Sequence, residues 1–173
     1  SNGPVITSGP LLPISALGQP AVYILEAAQG AQPFQWAITS GSLPAGLTFD
    51  PVQGRLTGAT AETGIFRFTA RVTDATGMVD TRVLELPITA TGAALQLATT
   101  TLPGATLGRP YAASLNLSGG QGPYTCTRSG GELPGGLTFA NLQIQGTPTG
   151  IGSSSFTLTC TDTFGFRVTR DFA

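Results

Sequence analysis

Apolar and polar residues alternate along several short stretches of this chain. In 66–73 every second residue is apolar and every residue between is polar, and 156–161 repeats the pattern. A third stretch, 34–38, places Phe34, Trp36 and Ile38 on one face. Side chains of a β-strand point alternately to opposite faces, so each stretch predicts a strand with one face in a core and the other in water.

The chain contains an internal repeat, which has to be recognised before the fold is assigned. Leu-Pro-Ala-Gly-Leu-Thr-Phe at 43–49 recurs as Leu-Pro-Gly-Gly-Leu-Thr-Phe at 133–139, an offset of 90. Beyond this motif the offset is 88, so the second copy has lost two residues in a turn, where loss is tolerated. Pairs at the offset of 88 are Gly58 and Gly146, Gly64 and Gly152, Phe68 and Phe156, Asp74 and Asp162, and Gly77 and Gly165.

Turn-forming residues separate the predicted strands in both copies. The chain has 24 Gly and 13 Pro, and helical periodicity is absent. The Leu-Pro-x-Gly-Leu motif and four further glycines are predicted to supply turns that need a fixed or positive φ. Those glycines are Gly54, Gly58, Gly146 and Gly150. Short strands spaced by turns predict an all-β chain of Greek-key β-sandwiches.

The repeat also predicts the domain organisation. We expect one sandwich at 4–90 and another at 94–173, because about 90 residues can bury a self-sufficient core. The joint 90–94 is short and small-sided, so we expect a semi-rigid end-to-end tandem. Ser1-Asn2-Gly3 resembles the remnant of a removed expression tag, which indicates a fragment of a larger protein.

Charge and hydropathy exclude two classes of partner. Charged residues make up 10% of the chain, with Lys+Arg 8 against Asp+Glu 9. Nucleic acid needs a basic patch, so we expect no nucleic-acid partner. No apolar run approaches the roughly 18 to 20 residues that span a bilayer, so we expect no membrane insertion by this segment.

One family resemblance covers both copies nearly end to end. It rests on Leu-Pro-x-Gly-Leu-Thr-Phe, on a Gly-Thr-Pro or Leu-Thr-Gly turn, and on the ending Val-Thr-Asp-x-x-Gly. In the second copy this ending reads Cys-Thr-Asp-x-x-Gly. These motifs resemble the immunoglobulin-like He-PIG modules and their dystroglycan-type cadherin-like relatives. The resemblance implies tandem immunoglobulin-like or cadherin-like sandwiches, repeated further in a bacterial surface or secreted protein. It carries no catalytic residues.

The two cysteines stand at core-facing positions of the second copy. Cys126 aligns with Trp36 and Cys160 with Val72, and we expect their strands to lie in opposite sheets. Such positions face each other across the core of immunoglobulin sandwiches, which predicts the disulfide Cys126–Cys160. The alternative is two buried free thiols. A disulfide would indicate an oxidising compartment.

Catalytic chemistry finds little support in the sequence. The chain has no histidine, the commonest general base, and its carboxylates are scattered. A paired-carboxylate glycosidase needs two acids held at a fixed separation across a cleft. The sequence therefore predicts no enzyme activity, no catalytic residues and no cofactor.

Two sets of residues remain as weak site candidates. Asp74 and Asp162 open Asp-x-x-Gly turns, where aspartate commonly caps its own turn; the alternative is a calcium ligand, although calcium needs six or more oxygens. Phe164 and Phe166 are candidates for a sugar-stacking platform, against packing into the fold.

The predicted function is a non-catalytic structural or adhesive module of a bacterial cell-surface or secreted protein, acting as a spacer or interaction domain. The alternative is a module that binds a glycan or a protein of unknown identity, and an accessory domain of a secreted hydrolase is a further option. We expect an extracellular or cell-surface location, with the periplasm as a further option.

Overall fold

The computed structural model describes residues 2–173, so Ser1 of the predicted tag remnant lies outside the described residues. The chain divides into two compact units with the boundary between Gly92 and Ala93. Strands and turns account for the regular structure of the described residues. The predicted all-β class and the tandem of sandwich domains are confirmed.

The first unit builds two main sheets. Its strands are β1 (Val5–Ile6), β2 (Ser15–Ala16), β3 (Ala21–Ile24), β4 (Ala27–Ala28), β5 (Gln35–Gly41), β6 (Leu47–Asp50), β7 (Arg55–Gly58), β8 (Gly64–Thr73) and β9 (Val79–Thr89). One sheet has the order β2-β9-β8-β5 and the other the order β3-β7-β6, while β1 pairs with β4. The strand predicted at 66–73 starts two residues earlier, because Gly64 and Ile65 still pair with β9.

The second unit repeats this plan with fewer strands. They are β10 (Gln96–Leu97), β11 (Tyr111–Ser114), β12 (Leu117–Ser118), β13 (Thr125–Gly131), β14 (Leu137–Ala140), β15 (Gln143–Gly146), β16 (Phe156–Thr161) and β17 (Arg167–Phe172). The sheets have the orders β13-β16-β17 and β11-β15-β14, with β10 beside β12.

Each unit has its own hydrophobic core, and the alternating positions supply it. In the first unit Trp36, Phe68 and Val72 are buried with Leu56 from the opposite sheet. In the second unit the buried residues of β16 are Phe156, Leu158 and Cys160, as the alternation predicts. Phe156 also stacks on Phe172 with ring centroids 5.5 Å apart.

The glycines of the repeated motif allow two backbones to approach closely. Gly46 has a φ of 94°, and a Cβ at Gly58 would lie 2.0 Å from the Gly46 carbonyl oxygen. Gly136 and Gly146 repeat this arrangement, with 2.1 Å for the equivalent approach. Any side chain at Gly58 or Gly146 would collide with backbone, which explains why the repeat keeps glycine there.

Three of the four turn glycines named from the sequence have a positive φ, namely Gly54, Gly58 and Gly146. Gly150 lies at a bend without a positive φ. Gly58 and Gly146 also end strands β7 and β15 instead of forming the turns themselves. Their role is close packing of backbone against backbone, which a turn pattern does not distinguish from a turn.

The second copy is two residues shorter than the first in one turn. This turn joins β14 to β15 and corresponds to the turn between β6 and β7. In the first unit this turn is 51–54, and a Cβ at Gly54 would lie 2.8 Å from the Nε1 atom of Trp36. In the second unit Asn141 and Leu142 form a two-residue turn with φ values of 50° and 60°, as in a type I′ hairpin. Leu142 packs on the core there, whereas Cys126 stands at the position of Trp36. The shorter turn therefore accompanies the smaller core side chain.

Candidate functional site

Cys126 and Cys160 form a disulfide with a Cα–Cα distance of 4.0 Å. The expectation that their strands lie in opposite sheets was wrong. β13 and β16 are hydrogen-bonded neighbours in one sheet, and the two cysteines are direct cross-strand partners. Directly opposite residues of an antiparallel pair come within about 4.5 to 5.5 Å, which suffices for a bridge. The disulfide therefore links two adjacent strands of one sheet and forms no bridge between the two sheets.

Asp74 organises the turn between β8 and β9. Its Oδ1 atom accepts hydrogen bonds from the Thr76 hydroxyl at 2.7 Å and from the backbone N–H groups of Thr76 and Met78 at 2.9 and 3.0 Å. Its Oδ2 atom accepts from the N–H of Ala31 at 3.1 Å. The side chain is 5% exposed. One carboxylate thus holds its own turn and attaches the loop before β5.

Asp162 has the same role in the second copy. Its Oδ1 atom accepts from the backbone N–H groups of Phe164 and Phe166, both at 2.9 Å, and its Oδ2 atom accepts from that of Gln121 at 3.0 Å. Both aspartates therefore use their oxygens as turn caps. Within 2–173 no group of three or more His, Cys, Asp or Glu side chains is placed to hold a metal ion.

Hydrogen bonds to Asp74 change its acidity. Donation by the Thr76 hydroxyl lowers the pKa of Asp74 most, and the backbone N–H groups of Ala31, Met78 and Thr76 add to this against the opposing effect of burial, giving a pKa of about 2. The unfolded pKa is about 3.9. Because the folded pKa is the lower one, this group's stabilisation is fully present above pH 4 and is lost as the pH falls towards 2.

We therefore expect Asp74→Asn to flatten the acid dependence of the first unit. Urea unfolding followed by Trp36 fluorescence at pH 5, 4, 3 and 2 measures this dependence. The original protein should lose stability more steeply between pH 4 and pH 2 than the variant, since the variant lacks the titrating carboxylate. Equal slopes for the two proteins would contradict the assigned role of Asp74.

Phe164 and Phe166 lie in the turn between β16 and β17. Both side chains are half-buried, and both backbone N–H groups are used by Asp162. Their placement is set by the aspartate cap. A sugar-stacking platform at these residues remains a proposal.

The first unit has a shallow depression beside Trp36. Its volume is about 480 Å³, and its lining includes Glu26, Gln32, Phe34, Val52 and Gln53. Phe34 is half-buried and the two glutamines are exposed. Val52 and Gln53 belong to the longer turn of the first copy, so the shortened turn of the second copy lacks them.

The second unit has a more apolar groove, which we call the β17 groove. Its volume is about 400 Å³, and Leu102, Leu107, Tyr111, Leu133, Ile144 and Phe156 line it together with 150–154 and Ala173. Ile151 at its mouth is 90% exposed. The sequence interpretation missed this groove, because its lining comes from segments that are far apart in the sequence.

No helix in the described part of the chain is long and apolar enough to cross a membrane.

Solved structures with similar folds include extracellular proteins. The Drosophila OTK extracellular domains 3-5 align over 99% of this chain and 61% of theirs, with a TM-score of 0.60 and 12% identity, which supports a shared fold. A Bacteroides fragilis protein described as a "putative alpha-galactosidase/melibiase" aligns over 49% of this chain and 17% of its own, with a TM-score of 0.44 and 25% identity. The protocadherin GammaB4 extracellular domain covers 99% of this chain and 34% of its own, with a TM-score of 0.43 and 16% identity.

This chain therefore spans less than two thirds of each of these proteins. A comparison with curated protein sequences gave no match.

The family comparison agrees with the repeat. Residues 3–89 and 93–173 each match the family described as "Putative Ig domain", He_PIG. Immunoglobulin-like and cadherin-like folds are generally non-enzymatic, and the disulfide is typical of extracellular domains. The resemblance seen in the motifs is thereby confirmed. The chain belongs to this Ig domain family and carries two tandem copies of its domain.

Proposed function

We propose that this chain is a non-catalytic segment of a larger bacterial cell-surface or secreted protein, in which it acts as a spacer or interaction module. The parent protein would carry further repeats, and its location would be extracellular, at the cell surface or periplasmic. The observation that carries the proposal is the kind of residue that the two copies share.

Shared residues serve the fold of each copy. Gly46 and Gly58 with their counterparts let backbones approach, Phe68 with its counterpart fills the core, and Asp74 with its counterpart caps a turn. A binding site common to both copies would instead repeat exposed polar or aromatic residues. The depression described beside Trp36 lies in the first copy, whereas the β17 groove lies in the second copy and has a different lining. This pattern supports a repeated mechanical unit.

Stretching single molecules tests the spacer role. Each unit should unfold in a separate force peak under oxidising conditions, because each has its own core. The disulfide keeps a 34-residue loop closed in the second unit. Reduction should therefore lengthen the extension released by one of the two peaks by about 12 nm, at up to ~3.6 Å per residue.

A double variant, Cys126→Ala with Cys160→Ala, is the matched control. It should release the longer extension whether or not reductant is present. A chain that extends under oxidising conditions without resolved force peaks would contradict the spacer proposal.

The depression beside Trp36 favours a second candidate, recognition of a glycan. An aromatic face beside amide and carboxylate groups is suited to sugars, and Phe34, Gln53 and Glu26 supply these groups. In this reading the segment is a binding module, such as an accessory part of a secreted hydrolase.

A glycan array measures this candidate directly. Phe34→Ala and Gln53→Ala should each abolish any selective binding, while Phe164→Ala in the second unit should leave it unchanged. Binding that survives Phe34→Ala but is lost with Phe164→Ala would move the site to the β16–β17 turn.

A further inference from the structure

Several differences between the two copies gather at the depression beside Trp36. Its lining includes residues whose counterparts differ in size or polarity. These pairs are Glu26 and Asn116, Gln32 and Gly122, and Trp36 and Cys126. The turn 51–54, which supplies part of the lining, is also longer than its counterpart. The first copy therefore departs from the repeat at a place that can hold a ligand.

Hydrogen bonds hold the turn 51–54 in place. Two of them, both of 2.8 Å, run from the N–H of Trp36 to the carbonyl oxygen of Pro51 and from the N–H of Leu25 to that of Gly54. The Oδ1 atom of Asp50 accepts from the N–H groups of Val52 and Gln53 at 2.8 and 3.2 Å. A ligand at this turn meets a backbone that is already ordered, which reduces the entropy lost on binding.

Glu26 is the only charged residue in the described lining of the depression. Its backbone is fixed, since its N–H donates to Oγ of Ser8 and its carbonyl oxygen accepts from the N–H of Thr7, both at 2.8 Å. Its side chain is exposed, and no basic side chain within 2–173 forms an ion pair with it. A carboxylate in this position favours a positively charged ligand.

Two aromatic side chains line the same depression as Glu26. Phe34 is half-buried, and an aromatic face attracts an ammonium group and packs on an apolar surface. Trp36 is 5% exposed, and its indole N–H has no acceptor within 2–173. The N–H of a buried indole usually has a partner. An oxygen atom of a bound sugar can provide one.

We propose that the depression beside Trp36 binds an amino sugar whose free amine carries a positive charge. The carboxylate of Glu26 pairs with the ammonium group, and the ring of Phe34 packs on the sugar. The amides of Gln32 and Gln53 and the indole N–H of Trp36 bind its hydroxyl groups. This inference rests on the glycan-binding candidate and narrows it from glycans in general to cationic ones.

Calorimetric titration with glucosamine oligomers at mildly acidic pH tests the proposal, and N-acetylglucosamine oligomers of the same length are the neutral comparison. The free-amine oligomer should bind at least ~10-fold more tightly, as a hydrogen bond to a charged group provides. Glu26→Gln should remove this preference. Glu62→Gln is the matched control, because Glu62 is an exposed carboxylate of the first unit outside the depression, and it should keep the preference.

Equal affinity for the two oligomers, or a preference that survives Glu26→Gln, would overturn the proposal. Binding of neutral glycans that depends on Phe34 would overturn the cationic preference and leave the glycan candidate standing, whereas no binding of any glycan would overturn both. Trilysine provides a further arm. Binding of trilysine as tightly as the amino sugar would assign the depression to basic peptides and likewise overturn the proposal.

Discussion

Replacing Trp36 by alanine should destabilise the first unit by about 3 to 5 kcal/mol, the usual cost of removing a buried tryptophan. Trp36 is 5% exposed and lies opposite Val72 in the sheet. Its ring packs against the backbone at Gly54. This one side chain therefore connects strand β5, the turn 51–54 and the hydrophobic core. Small domains are stable by about 5 to 15 kcal/mol, and the variant would lose a large part of this.

Urea unfolding followed by far-UV circular dichroism, together with hydrogen exchange in β5 and β8, measures the Trp36→Ala effect. Val22→Ala is the control, because Val22 is 56% exposed on β3. That substitution should change stability by no more than about 0.5 kcal/mol. A loss below about 1 kcal/mol for Trp36→Ala would mean that the turn 51–54 collapses onto the space and refills the core.

Breaking the disulfide should destabilise the second unit by roughly 3 to 4 kcal/mol. The bond closes a loop of 34 residues, and the chain-entropy account of a loop of this size gives that stabilisation. The second unit lacks a tryptophan at the Cys126 position and has fewer strands than the first. The lost free energy should therefore be a large fraction of the stability of the second unit. Cys160 is fully buried. Reduction replaces the disulfide with two separate thiols, on Cys126 and Cys160.

Comparison of oxidised and reduced protein in urea provides the test, with Cys126→Ala and Cys160→Ala together as the variant that cannot reoxidise. Trp36 is the single tryptophan and lies in the first unit, so its fluorescence reports that unit separately. Its transition should not move. A shift of the Trp36 transition on reduction, or no shift in the second unit, would contradict the prediction.

Local patterns predicted the strands and caps well because these depend on neighbours in sequence. Alternation along 66–73 and 156–161 identified the buried faces, and Asp-x-x-Gly identified the turns that Asp74 and Asp162 cap. The turn chemistry of aspartate is local, so no tertiary information was needed.

Pairing between strands was harder to predict. The alternation of apolar and polar residues correctly predicted that Cys126 and Cys160 face the core. The assignment of their strands to opposite sheets was wrong. Facing is a property of one strand, whereas sheet membership depends on contacts between distant segments. The same limit applies to Gly58, whose close approach to Gly46 involves a backbone twelve residues away.

The sequence by itself determined the all-β class, the two copies, the cysteine pair and the absence of histidine chemistry, since each follows from composition, periodicity or self-similarity. Tertiary structure decided which strands are neighbours, why the shorter turn accompanies Cys126 in place of Trp36, and where the β17 groove opens. These features arise where segments far apart in sequence share one space, and packing in that space depends on all of them together.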